Sequence, residues 1–218
     1  MATTFPETTR IVPGAARAAK PQLRTAERRT AILEAATAVF GARGYNSGSL
    51  VEIAELVGMT HAGILHHFGS KEQLLLAVLA HRDEADLERL DDHASPVGAA
   101  FLDHLVHTAE YGAERAGVIK TYTVLSAESV TGNHPAQEFF RDRFSGLRSR
   151  VASDLGIAVG VDPDDPRVVT AASAIVAVTD GLQVQWLLDP VHVDMPTTVK
   201  LVIDAIVDNL RQNVDAQR

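Results

Sequence analysis

The 218-residue chain contains no cysteine. That absence excludes a disulfide scaffold, a thiolate zinc centre and a cysteine nucleophile together. Aromatic residues are scarce, at 5% with one Trp and three Tyr, whereas 46% of residues are hydrophobic. The core must therefore be largely aliphatic, and there is enough of it to exclude wholesale disorder. Long apolar runs are missing too. The uncharged stretch at the apolar maximum, Val168 to Thr179, has twelve residues, too few to span a bilayer. The start, Met-Ala-Thr-Thr-Phe-Pro-Glu, lacks the pattern of a secretory signal. These features predict a cytoplasmic protein with no membrane partner.

Positive charge is short overall, giving a net −8. Spread evenly, that would disfavour nucleic acid, but the balance is uneven. Residues 1–72 hold eight Lys/Arg against six Asp/Glu, and residues 73–218 hold twelve against twenty-two. The sharpest excess is Arg10, Arg17, Lys20, Arg24, Arg28 and Arg29, opposed only by Glu27. A basic head that meets phosphate and an acidic body that avoids it follow from this asymmetry.

Sustained alternation of apolar and polar residues is also absent, so the chain reads as all-α with about nine helices. The first twenty-odd residues, rich in Thr, Ala, Pro and Arg, read as a flexible basic arm. After Thr25, Ile32, Ala35, Ala36, Val39 and Phe40 recur at helical spacing until Gly44, predicted to take a left-handed cap conformation. Ser49-x-x-Glu52 and Ser70-x-x-Gln73 are capping boxes, and Thr60 caps a short helix between them. Pro96, Pro135 and Pro166 suit first helical positions. Of the last two helices, residues 166–188 are apolar on nearly every side and residues 196–213 on a wide stripe. Each is either a central core helix or one that also packs against a second copy.

The informative stretch is Leu50 to Gly69, LVEIAELVGMTHAGILHHFG. Two short helices crossing steeply need a small residue at their approach, positive φ at the turn and an apolar plug beyond it. Ala54, Gly58 and Ile64 have those properties at the required spacing. The pattern describes a helix-turn-helix, and on spacing alone also an ordinary helical hairpin.

With its neighbours included, the stretch becomes more specific. Arg29-Thr-Ala-Ile-Leu-Glu-Ala-Ala with Phe40 and Gly44-Tyr45, then Ile53-Ala54 with Gly58-Met59-Thr60, then Leu65-His66-His67-Phe68 with Ser70-Lys71-Glu72 and Leu74 resemble the N-terminal domain of the TetR (tetracycline-repressor-like) family. Asp180 to Pro190 resembles the penultimate helix of many family members. Residues 91–165 match only in helical character.

The resemblance implies a homodimeric regulator, in most cases a repressor, released from a palindromic double-stranded DNA operator by a small effector. Its division would be an arm over 1–23, a helix-turn-helix domain over 24–72 and an effector-binding and dimerisation domain over 73–218. Thr60, His61 and Ala62 would open the recognition helix in the major groove, with His66 towards its end. Ser49 and Lys71 would hold phosphates. Leu65 stands where many members carry a phosphate-binding tyrosine, and Ala62 where a glycine is usual. The recognition helix has no Arg or Asn, the usual bidentate base readers. Arg10, Arg17, Lys20 or Arg24 is therefore expected to add minor-groove contacts.

The C-terminal domain is expected to bind a lipophilic or aromatic effector, with Phe101, His104, Tyr111, Tyr122, Phe140, Gln183 and Trp186 as candidate lining residues. No cofactor is expected. His104-x-x-His107, with Asp103 and Glu110 nearby, opens a metal-responsive alternative, although no third ligand on that face is evident. Nucleophile-elbow, zincin, Walker and dinucleotide motifs are all missing, so an enzyme is not expected. A helical protein-interaction module without DNA binding would not need the basic head.

Overall fold

The computed structural model describes residues 16–91, 96–114 and 116–215, with side chains over 25–81, 96–110 and 116–213. Among the described residues there are nine helices and no strand: α1 (Ala16–Ser47), α2 (Leu50–Leu56), α3 (His61–Phe68), α4 (Lys71–Asp91), α5 (Ala99–Glu114), α6 (Ala116–Ser129), α7 (Gln137–Val159), α8 (Pro166–Leu188) and α9 (Met195–Asp215).

Three local expectations need correction. The described part of α1 begins at Ala16, inside the segment read as an arm. Ala16, Ala18 and Ala19 favour helix intrinsically, without any apolar period to advertise it. Gly44 breaks α1 at φ 72°, but its ψ of 176° is extended rather than left-handed helical. That conformation aims the Tyr45 amide at the side chain of Glu128, 2.6 Å away. Pro96 and Pro135 precede their helices instead of opening them. Gly98, at φ 63°, immediately precedes α5, its carbonyl accepting from Phe101 and Leu102. A turn closed by Gln137 N–H on the His134 carbonyl precedes α7. Pro166 does open α8, behind an Asp165 cap.

The buried side chains form two clusters. One joins Ile32, Ala36, Phe40, Ile53, Ile64, Leu74 and Leu75 to Tyr122, Leu125 and Phe140. The head therefore borrows part of its core from α6 and α7. Phe40 is fully buried there, a burial that stabilises by about 1.5–3 kcal/mol. The second cluster unites α5, α7, α8 and α9 around Val151, Leu155, Val168, Ile175 and Val199.

By length and composition α8 is long and apolar enough to cross a membrane. Its Val168, Ala172, Ile175, Val176 and Leu182 are instead buried in the bundle. The all-round apolar pattern divides into that core side and an open side carrying Val169, Val184 and Leu188.

Candidate nucleic-acid interface and ligand cavity

Helices α2 and α3 make the crossing that their spacing predicts. Ala54 is 2% exposed and Ile64 1%, so the small residue and the plug meet in the interior. Gly58 takes φ 64°, and Met59 N–H closes the turn on the Ala54 carbonyl at 2.8 Å. A Cβ at Gly58 would touch nothing. Glycine is needed there for the backbone angle, not for space.

Both helices are capped by the predicted residues. The Ser49 hydroxyl accepts from Val51 N–H at 3.2 Å and Thr60 Oγ1 from Gly63 N–H at 3.1 Å. Glu52, the other half of its capping box, pairs with Arg43. Ser49, Thr60, His61, Ala62 and His66 are all exposed, while His67 is half-buried beside Phe68. The far end of α3 is held from α1: Arg29 donates to the His67 carbonyl at 3.3 Å and stacks 4.3 Å above the Phe68 ring. Arg29 belongs to the family pattern, but nothing in its sequence context signals this brace.

Lys71 does not stand free. Its ammonium donates to the Asn46 carbonyl at 3.3 Å and lies 4.6 Å over the Tyr45 ring. Burial pushes it below the ordinary lysine value, and Glu128 opposes that shift. Burial and the charge of Glu72 raise the Tyr45 phenol. Arg17, Lys20 and Arg24 fall on α1, but their side chains, like all of Arg10, lie outside the described residues.

The head is joined to the body chiefly through α1 and α6. Thr121 is 3% exposed and donates to the carbonyls of Thr37, at 2.7 Å, and Gly117. A Cβ at Gly41 would collide with Thr121 Oγ1. One turn further on, the Glu128 carboxylate occupies the space beside Gly44 where any side chain would go.

On its other side α6 faces α8 across an open cavity of about 230 Å³. Tyr122, Thr123, Ser126 and Ala127 line it from α6, and Asp180, Gly181, Gln183 and Val184 from α8. Of the candidate lining residues, Tyr122 and Gln183 are on this wall. Phe101, His104, Phe140 and Trp186 are not among its lining residues. Phe140 is packed in the head-side core against Tyr122 and Phe144. Phe101 lies in the second core, with Arg150 stacked 4.5 Å above it. His104 neighbours Phe101 on α5, Trp186 packs against the second core, and the Tyr111 side chain lies outside the described residues. Thr123, Ser126, Asp180 and Gly181 also line the cavity, and their residue types carry no signal of their own. His107 pairs with Glu110 at 2.8 Å, and no group of three metal-ligating side chains occurs among the described residues.

A capped and exposed recognition helix on a small head, joined to a larger helical body, defines a helix-turn-helix transcriptional regulator. Residues 32–78 match the family model for bacterial regulatory proteins of the tetR family, and residues 113–212 that for the C-terminal domain of BetI-type transcriptional repressors. The HTH-type transcriptional regulator TtgR of Pseudomonas putida is 28% identical over 207 residues, covering 85% of this chain and 92% of TtgR. Among solved structures, the regulator FadR of Bacillus subtilis, in complex with stearoyl-CoA, superposes with a TM-score of 0.67 at 18% identity. That match covers 82% of this chain and 97% of FadR. A transcriptional regulator from Saccharomonospora viridis in complex with choline gives 0.64 at 22%, covering 87% and 96%. These two likenesses are of fold. The chain belongs to the TetR family and is a DNA-binding transcriptional regulator.

Proposed function

We propose that the protein is a repressor that binds a palindromic operator as a homodimer and leaves it when a small molecule enters the cavity between α6 and α8. The observation that carries the reading is the exposed first turn of α3, presented by a rigidly capped head. Thr60, His61 and Ala62 read base edges there, His66 lies further along the groove, and Ser49 and Lys71 hold phosphates on either side. Arg24 and the basic residues before it supplement the readout from the minor groove.

Pairing through α8 and α9 is supported by what α8 leaves open. Thr170, Ala174, Ala177, Val184 and Leu188 are exposed at spacings that place them on one side, and Leu201 and Ala205 are exposed on α9. Small and apolar side chains without charge suit a self-complementary two-fold contact. That symmetry would present α3 twice, to half-sites about one helical turn apart or somewhat more.

The cavity suits a compact lipophilic or aromatic effector, anchored by a few polar groups such as Thr123, Ser126 and Gln183. FadR and the Saccharomonospora regulator hold stearoyl-CoA and choline, so small-molecule occupancy is compatible with this fold. To move the heads from 1:99 to 99:1 between two arrangements, the effector must prefer one by about 5.5 kcal/mol.

Selecting duplexes from a random pool tests the reading. The selected sequences should be two-fold symmetric and should bind two chains by sedimentation. Recovery of asymmetric sites, or binding by a single chain, would refute it. The alternative of a metal-responsive regulator gains no support from His104 and His107, which lack a third ligand among the described residues.

A further inference from the structure

Three observations converge on Glu128, in the last turn of α6. Its carboxylate accepts from Tyr45 N–H at 2.6 Å, across 83 positions of chain. It fills the space beside Gly44 that a Cβ would occupy, so only glycine at 44 admits it. Its Oε2 also lies 3.7 Å from Nε2 of His134.

His134 is unusual. Its side chain is 1% exposed, and its Nε2 is the buried side-chain polar atom that lacks a hydrogen-bond partner among the described residues. The other ring nitrogen, Nδ1, accepts from Ala136 N–H at 3.2 Å. The ring hydrogen of the neutral imidazole therefore sits on Nε2, on the side of Glu128. A buried donor left unmet is costly. The Glu128 carboxylate, 3.7 Å away, is the acceptor placed to meet it.

Glu128 thus stands between two donors, one on the DNA-binding head and one on the body. It has the tighter bond to the head. It also follows Ser126 and Ala127, which line the cavity, so anything that shifts that turn of α6 shifts the carboxylate. Lys71, the phosphate-holding candidate, lies over the Tyr45 ring, and Tyr45 packs edge-on against His134 at 5.3 Å.

We propose that Glu128 is a positioning residue for the DNA-binding head, exchanging its carboxylate from Tyr45 N–H to His134 Nε2–H when the cavity is occupied and thereby releasing the turn that orients α2 and Lys71. The idea rests on the proposed effector cavity. In the first arrangement α6 grips the head through Glu128 and Thr121 together. In the second, the Thr121 contact remains but the Gly44–Asn46 turn loses its anchor. A carboxylate held by one donor and drawn towards another is an element that a ligand can bias.

The test uses full-length protein, the operator duplex selected from a random pool, and hydrogen exchange at the Tyr45 amide. Ala127→Trp serves as a built-in occupant of the cavity, so no effector is required. In the wild-type background Ala127→Trp should lower operator affinity about tenfold, within the usual range of allosteric coupling, and should speed exchange at Tyr45. His134→Phe alone, which keeps the ring shape, should leave affinity within about twofold. Ala127→Trp combined with His134→Phe should restore both affinity and Tyr45 protection, because the carboxylate has no second partner. Glu128→Gln should keep Tyr45 protected, while Glu128→Ala should not. The exchange is overturned if Ala127→Trp weakens binding equally with and without His134, or if Glu128→Ala leaves Tyr45 protected. If Ala127→Trp has no effect while Glu128→Ala weakens binding and exposes Tyr45, the cavity reading is what fails, and control of Glu128 by the cavity fails with it.

Discussion

Thr121 Oγ1 stands in the place that a side chain at Gly41 would take. The two residues belong to α1 and α6, and the same hydroxyl donates to the Thr37 carbonyl one turn earlier on α1. Close backbone approach and a buried polar contact therefore coincide at the seam between head and body. The seam is short of space rather than of attraction, so small changes in volume should be felt there.

Gly41→Ala should destabilise the protein by about 1–3 kcal/mol, the usual cost of overpacking. Alanine's better helix propensity, worth up to about 1 kcal/mol, will offset only part of it. Thr121→Ala in the same chain should recover much of the loss. Denaturant titration of the four members of this double-mutant cycle measures the coupling, and strict additivity would contradict the contact.

Gly58 differs, because nothing surrounds the Cβ it lacks. Gly58→Ala should cost about 1–2 kcal/mol purely through the positive φ, and Gly58→Asn less, since asparagine tolerates that region. Equal losses for the two substitutions would show that space is limiting after all. Operator affinity should fall with Gly58→Ala, because the angle between α2 and α3 depends on this turn.

Lys71→Ala should weaken operator and random duplex alike and make the log–log salt slope shallower by about 0.9, the value for one phosphate. His61→Ala should change sequence preference while leaving that slope nearly intact. Fluorescence anisotropy over a range of salt concentrations distinguishes the two. An unchanged slope for Lys71→Ala would confine that ammonium to its bonds with Asn46 and Tyr45.

The Arg167 guanidinium beside Asp165 lowers the Asp165 carboxyl from 3.8 to about 2. A carboxyl depressed in the folded state stabilises it above the ordinary carboxylate value, and that contribution fades as pH falls through the folded-state value. Asp165→Asn should therefore lower Tm at pH 6, with the gap to wild type closing between about pH 4 and pH 2. A gap that persists to pH 2 would mean that capping geometry, not charge, is what the aspartate contributes.

The helix-turn-helix was legible because its determinants are local. Ser49, Thr60 and Ser70 each bond an amide two or three residues away, and Ala54, Gly58 and Ile64 meet within one supersecondary unit. The cavity was not legible. Its walls come from α6 and α8, more than fifty positions apart, and include small residues such as Ala127 and Gly181 that carry no signal of their own. Phe101 and Phe140, expected among the lining residues, are buried in the two core clusters. Glu128 and His134 carry no motif at all.

Sequence alone determined the helical class, the family and the residues that cap and turn the head, because capping and helical periodicity act over a few residues. Only the tertiary structure decided which face of α8 is buried, where α6 leaves a void, and that one carboxylate sits between Tyr45 and His134. Those outcomes depend on how distant helices pack, and packing is a property of the assembled volume rather than of any local stretch.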